Sequence, residues 1–347
     1  MEVNQTISNI IYSFWPQSTI VAIIPIENGL INSTFSVEVI LNANRKKYIL
    51  QKINTAVFQN PKAIQTNISL VSAHLKAKGY PYPILELCAT TKGMHEINVD
   101  GATWRMFVQI ENCYTNNVVK SPKQAFAIGA FFGTFYHYLQ DIDTQKVQLV
   151  LPHFLAVNNR IEAFQKALNT ASSERLAKAK TELNWLLAHQ ELPQKWIALQ
   201  QQNKLPLRLI HADPKISNVL FDVVTHQPKA IIDWDTLMVG TILYDYGDMI
   251  RSYTNTKLED DPDSEGIFNA EVYKALTDGF LAKVGPFLTP IELENIPYAP
   301  QVIVYIQALR FLTDYLNGDT YYSCSYPEQN LNRAKNQINL VQQILKL

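Results

Sequence analysis

The 347-residue chain lacks several things, and each shortage removes a class of explanation. Its three cysteines, Cys88, Cys113 and Cys324, are far apart and odd in number. That argues against a disulfide framework or a paired-cysteine zinc site, and it fits a reducing cytoplasm. Neither sign of charge dominates: 30 basic against 31 acidic side chains give a net charge of -1. No broad positive field is therefore offered to nucleic acid or to an anionic membrane, and the expected partner is a small molecule. No apolar run is long enough to span a bilayer; the longest, Ala125 to Leu139, carries His137 and two tyrosines and reads as a buried helix. The opening MEVNQTISNIIYSFW has an acidic residue and no basic region before its apolar part, so it reads as a short amphipathic helix rather than a secretory signal. Internal repeats, low-complexity tracts, a Walker A sequence and a G-x-S-x-G elbow are all missing.

What is present is an ordinary globular composition, 47% apolar, at a length that suggests two lobes. Alternating, β-branched runs at Thr19 to Ile26, Ser33 to Leu41 and Lys46 to Ile53 predict a small antiparallel sheet, with turns at Glu27-Asn28-Gly29 and Asn42-Ala43-Asn44. Pro61 to Lys78 has helical spacing, stops at Gly79, and is expected to pack on that sheet. Further strands are expected at Ile84 to Ala89 and Thr103 to Gln109, and a hinge at Ile110-Glu111-Asn112. From Ser121-Pro122 onward the pattern is helical, through an amphipathic stretch at Asn158 to Gln202 and then Glu271 to Val284, Pro297 to Asn317 and Glu328 to Leu347. The fold class is thus α+β: a sheet-bearing lobe over 1–111 and a larger, mainly helical lobe over 112–347.

The most informative stretch runs from Leu209 to Asp235. His211, Asp213, Lys215 and Asn218 spell H-x-D-x-K-x-x-N, the spacing of a kinase catalytic loop, in which an Asp serves the attacking hydroxyl and an Asn holds metal. Asn218 to Phe221 and Lys229 to Ile232 read as a hairpin that brings Asn218 toward Asp233. An amide oxygen and a carboxylate suit Mg²⁺, which takes few protein ligands and fills its sphere with phosphate and water. Taken singly, each residue has a plainer reading: a core histidine, a turn Asp before Pro214, a solvated lysine, a capping asparagine. Taken as a set, the phosphotransfer reading is the better one.

This order resembles the aminoglycoside phosphotransferase and choline kinase superfamily, of bilobal protein-kinase-like fold, through His211-Ala212-Asp213 to Asn218 and Ile232-Asp233-Trp234. A narrower likeness is to N-acetylhexosamine 1-kinases. It is carried by Pro214 to Asp222, by Asp233 to Thr236, by Tyr48-Ile49-Leu50-Gln51-Lys52-Ile53-Asn54 with Val57-Phe58, and by Arg310-Phe311-Leu312-Thr313-Asp314-Tyr315-Leu316 with Gly318-Asp319. The resemblance implies MgATP as donor, Asp213 as proton acceptor, Lys215 on the transferred phosphoryl group, His211 bracing the loop, and Asn218 and Asp233 on metal. It implies nucleotide contacts from Asn32, Gln51, Gln109 and Glu111, and acceptor contacts from Asp235, Arg310, Asp314 and Tyr321. Three departures stand out: the inward strand position is Gln51 where relatives carry a phosphate-contacting lysine, the helix at Pro61 to Lys78 has no glutamate to pair with one, and the phosphate-covering loop Glu27 to Ser33 holds one glycine rather than three.

Asp233 and Asp235 are expected on one side of a strand, and Asp245 is expected to hold the catalytic loop. Arg310 and Asp314, four apart on a helix, allow either an intrahelical ion pair or sugar-binding groups. The resemblance implies as acceptor an N-acetylhexosamine or related sugar, phosphorylated at its anomeric hydroxyl. The alternatives are an amino alcohol or aminoglycoside, for which Glu259-Asp260-Asp261-Pro262-Asp263 could supply charge, and a non-catalytic nucleotide-binding protein.

Overall fold

A computed structural model describes residues 2–26 and 31–347. The expected turn at Glu27-Asn28-Gly29 lies outside the described residues. The chain runs α1 (Glu2–Phe14), β1 (Thr19–Ile26), β2 (Ser33–Leu41), β3 (Asn44–Lys52), α2 (Pro61–Ala77), β4 (Ile97–Val99), β5 (Ala102–Val108), β6 (Cys113–Thr115) and α3 (Pro122–Leu139). It continues through α4 (Val157–Thr170), α5 (Ser173–Lys178), α6 (Lys180–Ala188), α7 (Glu191–Gln201), β7 (Arg208–Ile210), β8 (Val219–Asp222), β9 (Pro228–Ile231) and β10 (Met238–Gly240). Five further helices, α8 (Ile242–Thr254), α9 (Ala270–Val284), α10 (Pro290–Glu294), α11 (Tyr298–Leu316) and α12 (Gln329–Ile344), complete it. No described helix is long and apolar enough to cross a membrane.

Two compact units result, one of Met1–Tyr114, Tyr138–Pro152 and Val219–Val239, the other of Thr115–His137, His153–Asn218 and Gly240–Leu347. The first is built on an antiparallel sheet of order β1-β2-β3-β5-β4. Its β2/β3 hairpin closes through a two-residue loop, with Leu41 opposite Asn44 and Asn42 and Ala43 at φ of 50° and 64°. Positive φ at both loop positions is the turn geometry that matches strand twist. Alternation then sorts the side chains. Val37, Val39, Tyr48, Leu50, Trp104 and Met106 face one way and are buried under Ile7, Ile10, Ile11 and Phe14 of α1.

The cover of this face is therefore α1 rather than α2, the helix expected to pack on it. The buried stripe of α2, Ile64, Ile68, Val71 and Leu75, lies along a helix whose Asn67 donates to the carbonyls of Gln148 and Leu237. The Ile84 to Ala89 segment forms only a bridge at Leu87 to Phe107. Pro81 and Pro83 just before it have no N–H to extend a ladder.

The second unit is helical. The Asn158 to Gln202 stretch becomes the four helices α4 to α7. Helix α8 lies close against α11: a Cβ at Gly247 would come 2.8 Å from the Ala299 carbonyl oxygen and 2.6 Å from Ile303 Cγ1. Overpacking of this kind costs about 1–3 kcal/mol. Gly247→Ala should lower the unfolding free energy by that amount, seen as a lower urea midpoint with an unchanged slope, and an unaltered midpoint would show that α8 and α11 can separate freely.

Candidate active site

The catalytic loop follows β7 in the helical unit. Its conformation is set by Asp245 in the first turn of α8, whose buried carboxylate accepts from His211 N (2.7 Å), Ala212 N (3.0 Å) and the Tyr136 hydroxyl (2.5 Å). Ala212 sits at φ 65°, a left-handed conformation costing an L-residue about 1–2 kcal/mol. Three charge-assisted bonds at roughly 1.5–3 kcal/mol each outweigh that strain. The backbone role expected for Asp245 is thus what the geometry contains. Tyr253 adds a hydroxyl bond to the Pro214 carbonyl at 2.6 Å.

Held this way, the loop gathers its functional side chains. Asp213 Oδ2 receives Lys215 Nζ at 2.8 Å and Asn218 Nδ2 at 3.2 Å; Asn218 Nδ2 also donates to the Asp213 carbonyl at 2.9 Å. Both donors fall on Oδ2, which leaves Oδ1 to receive a hydroxyl. Committing the Asn218 NH₂ to Asp213 turns the amide oxygen away as a ligand atom, which suits a hard cation. His211 is fully buried; its Nδ1 accepts from Asp213 N at 3.3 Å and its ring stands edge-on to Phe132. It braces the loop. Arg251, unremarked in the sequence, pairs with Asp248 at 2.6 Å. Burial opposes its charge, but Asp248, Glu259 and Asp213 together hold its pKa above the ordinary value.

Farther along the same unit, Arg310 donates to Gln307 Oε1 at 2.9 Å and lies over the rings of Tyr322 and Phe154. Arg160 donates to the Phe154 carbonyl, and burial, followed by the Arg310 charge, lowers its pKa. Neither arginine has a carboxylate partner among the described residues. The Arg310 to Asp314 ion pair does not form. Asp314 instead accepts from the backbone N–H groups of Thr320, Tyr321 and Tyr322 and from Asn330 Nδ2, so its oxygens organise the loop after α11. Tyr321 is 68% exposed, with its ring against Tyr322.

The sheet unit contains the other expected residues. In the β8/β9 hairpin Val219 faces Ile231; Asn218 directly precedes the first and Asp233 lies two residues past the second. Strand geometry ends there. Asp233 adopts φ 62° and is exposed, and a single 3₁₀ turn follows over Trp234–Thr236. Asp233 and Asp235 consequently do not share a strand face, as alternation had suggested. Asp235 is 1% exposed, bound by Arg105 Nη2 (2.6 Å to Oδ1, 2.8 Å to Oδ2) and Asn32 Nδ2 (2.8 Å). Gln51 lies opposite Arg105 in the β3/β5 ladder, and its Oε1 accepts from Arg105 Nε and Nη2 at 3.0 and 2.7 Å. Gln109 accepts from Ser36 Oγ at 3.0 Å, and Glu111 pairs with Lys47 at 3.0 Å on the surface. Arg105 was the residue the sequence did not betray: its partner is 130 positions away, and only the inward alternation of the 103–109 run marked it.

Burial pushes the Asp245 carboxyl up from 3.8 to about 7, against the hydrogen bonds from Tyr136, Ala212 and His211 that lower it. The folded chain therefore binds this proton where the unfolded chain releases it, and its stability falls as pH rises from about 4 to about 7. Asp245→Asn removes the titration. Urea unfolding at about pH 5 and about pH 7 should show wild type losing ground to the variant at the higher pH. A gap independent of pH would exclude the shift.

The profile of the phosphotransferase enzyme family known as APH matches residues 22–275. Among solved structures, a microcompartment-associated aminopropanol kinase is 14% identical with a TM-score of 0.64, over 100% of this chain and 98% of that one. A spectinomycin phosphotransferase in complex with ADP and spectinomycin is 12% identical with a TM-score of 0.57, over 95% and 93%. Choline kinase from Cryptosporidium parvum Iowa II is 13% identical with a TM-score of 0.57, over 99% and 95%. These likenesses establish the α+β, protein-kinase-like fold. With the family match spanning most of its length, the chain belongs to the phosphotransferase enzyme family.

Proposed function

We propose that the protein is an ATP- and Mg²⁺-dependent kinase that phosphorylates the anomeric hydroxyl of an N-acetylhexosamine or a related sugar. Residues 1–111 serve as the nucleotide-binding lobe, with Asn32, Gln51, Gln109 and Glu111 as its nucleotide-side residues, and 112–347 as the catalytic and acceptor lobe. Asp213 Oδ1 takes the proton of the attacking hydroxyl as the γ-phosphoryl group transfers. Lys215, already 2.8 Å from Asp213, adds positive charge for the transferred oxygens. Asn218 and Asp233 would hold the magnesium ion, which when bound neutralises phosphate charge. An anomeric hydroxyl is more acidic than an ordinary alcohol, so a carboxylate base suffices.

The observation that carries the sugar reading is the set of arginines, Arg160, Arg251 and Arg310, in the helical unit. Arg310 lies close enough to Arg251 for their charges to oppose, and Arg251 close enough to Asp213 to feel it. Arg160 and Tyr322 flank Arg310, so this part of the helical unit carries guanidinium donors and aromatic rings, with Arg251 paired to Asp248. Such a set suits hydroxyl and amide oxygens and repels an ammonium group. Arg310 and Tyr321 are the proposed acceptor contacts, with Asp314 shaping their loop and Asp235 acting through Arg105.

Three members of the acidic run that an amino-alcohol kinase would use have partners of their own, although Glu259 also acts on Arg251. Asp260 accepts from Tyr326 and Gln329, Asp263 pairs with Lys257, and Glu259 with Arg333. The solved aminopropanol and choline kinases make the amino-alcohol reading the alternative to beat. Three free cysteines fit a reducing cytoplasm.

A panel of free hexosamines, other sugars, amino alcohols and aminoglycosides with MgATP should release ADP with N-acetylhexosamines, and NMR should find the new phosphate on C1. Turnover confined to amino alcohols would overturn the assignment. Arg310→Ala should raise the sugar KM by about 10- to 100-fold, in line with about 1–3 kcal/mol for a charged hydrogen bond.

A further inference from the structure

Asp235 and Arg105 are each 2% exposed in their side chains, and the reading above gives neither a chemical step. A buried ion pair is a poor stabiliser: apolar residues of similar volume usually do as well or better, because both charges lose their hydration. This one is also imperfectly satisfied. Arg105 Nη1 is buried without a hydrogen-bond partner, and Asp235 Oδ1 lies 2.6 Å from Nη2 without hydrogen-bond alignment. Its contacts are nonetheless heavily specified. Gln51 receives two of the guanidinium N–H groups and donates onward to Thr34 Oγ1 at 3.2 Å; the Phe107 ring lies 4.9 Å beneath Arg105 Cζ. Asn32 spans the other side, donating to Asp235 and accepting from Asn54 N at 3.0 Å. The carboxylate is thus bound directly by Arg105 of β5 and by Asn32 just before β2, with Gln51 of β3 and Thr34 of β2 behind the guanidinium.

That carboxylate belongs to the one-turn 3₁₀ segment Trp234–Thr236, whose preceding residue is Asp233 in the left-handed region. A non-glycine residue holds such a conformation only when its surroundings over-determine it. We propose that Arg105 is a positioning residue: by clamping Asp235, with Gln51 and Asn32 as braces, it fixes the turn that aims the Asp233 carboxylate at the metal. This rests on the assignment of Asp233 as a metal ligand. Gln51, at the strand position where a phosphate-contacting lysine was expected, then serves the clamp through its partner on β5.

The test is Mn²⁺ binding followed by electron paramagnetic resonance, in the presence of a non-hydrolysable ATP analogue, together with melting temperatures. Arg105→Met and Asp235→Asn should weaken Mn²⁺ binding by about 10- to 100-fold in folded protein, the usual effect of losing a residue that orients a ligand. The paired change Arg105→Met/Asp235→Leu removes both charges and should recover the melting temperature but not the Mn²⁺ affinity. A purely structural pair predicts the opposite: lowered melting with Mn²⁺ affinity within about twofold of wild type, and that result overturns the proposal. Should the charge variants fail to fold, Asn32→Ala, which removes one bond to Asp235, measured with Mn²⁺ alone so that a lost nucleotide contact does not count, should give a smaller weakening in the same direction, and no weakening would be equally fatal. Asp233→Asn separates the two ideas. If it leaves Mn²⁺ binding intact, the ligand assignment itself fails; if it weakens binding while Arg105→Met does not, only the clamp fails.

Discussion

The helical unit depends on one buried carboxylate. Asp245 replaces the water that the N–H groups of His211 and Ala212 would otherwise bind, and adds a tyrosine hydroxyl as a third donor. It holds Ala212 in a conformation alanine avoids. That kink sends the next residue, Asp213, outward with its backbone N–H turned onto the His211 ring. Burial makes this arrangement costly to ionise, and the close approach of α8 to α11 at Gly247 is what keeps the helix bearing Asp245 in place. Loop geometry, the placement of the Asp213 carboxylate and helix packing are therefore one connected constraint.

The sheet unit solves a different problem with similar means. Two aspartates only two residues apart end in opposite environments because the chain leaves β9 through a left-handed residue and a single 3₁₀ turn. Asp233 is left exposed and Asp235 is drawn into the sheet's polar face. The same face carries Thr34, Ser36, Gln51 and Arg105, while the opposite face is apolar and closed by α1. The alternation of a β-strand is enough to build both faces from the same residues.

Much of this was legible in the sequence wherever the determinant was local. The antiparallel strands within 19–41, the hairpin over 219–231, the helix α2 that begins at Pro61 and the long helices α3, α9, α11 and α12 follow from period and turn residues. The H-x-D-x-K-x-x-N spacing predicted that Asp213, Lys215 and Asn218 would come together, and they do, because a single loop presents all three. What escaped were long-range pairings. The amphipathic face of α1 was visible, but nothing local said that it, and not α2, would cover the sheet. Arg105 read as one residue in a strand, since its carboxylate lies 130 positions on. Arg310 and Asp314 had the spacing of an ion pair, yet Arg310 turns back to Gln307 and the rings of Phe154 and Tyr322, while Asp314 is claimed by the N–H groups of the loop after the helix.

The central claim is that Asp213 acts as the proton acceptor of a phosphoryl transfer. Comparing wild type with Asp213→Asn, by ADP release at saturating acceptor and by calorimetric titration of nucleotide, tests it most directly. The account predicts turnover lowered by about 10²- to 10⁴-fold with nucleotide affinity retained, because the amide keeps the shape and loses the basicity. Turnover within about threefold of wild type, less than 1 kcal/mol of barrier, would contradict it.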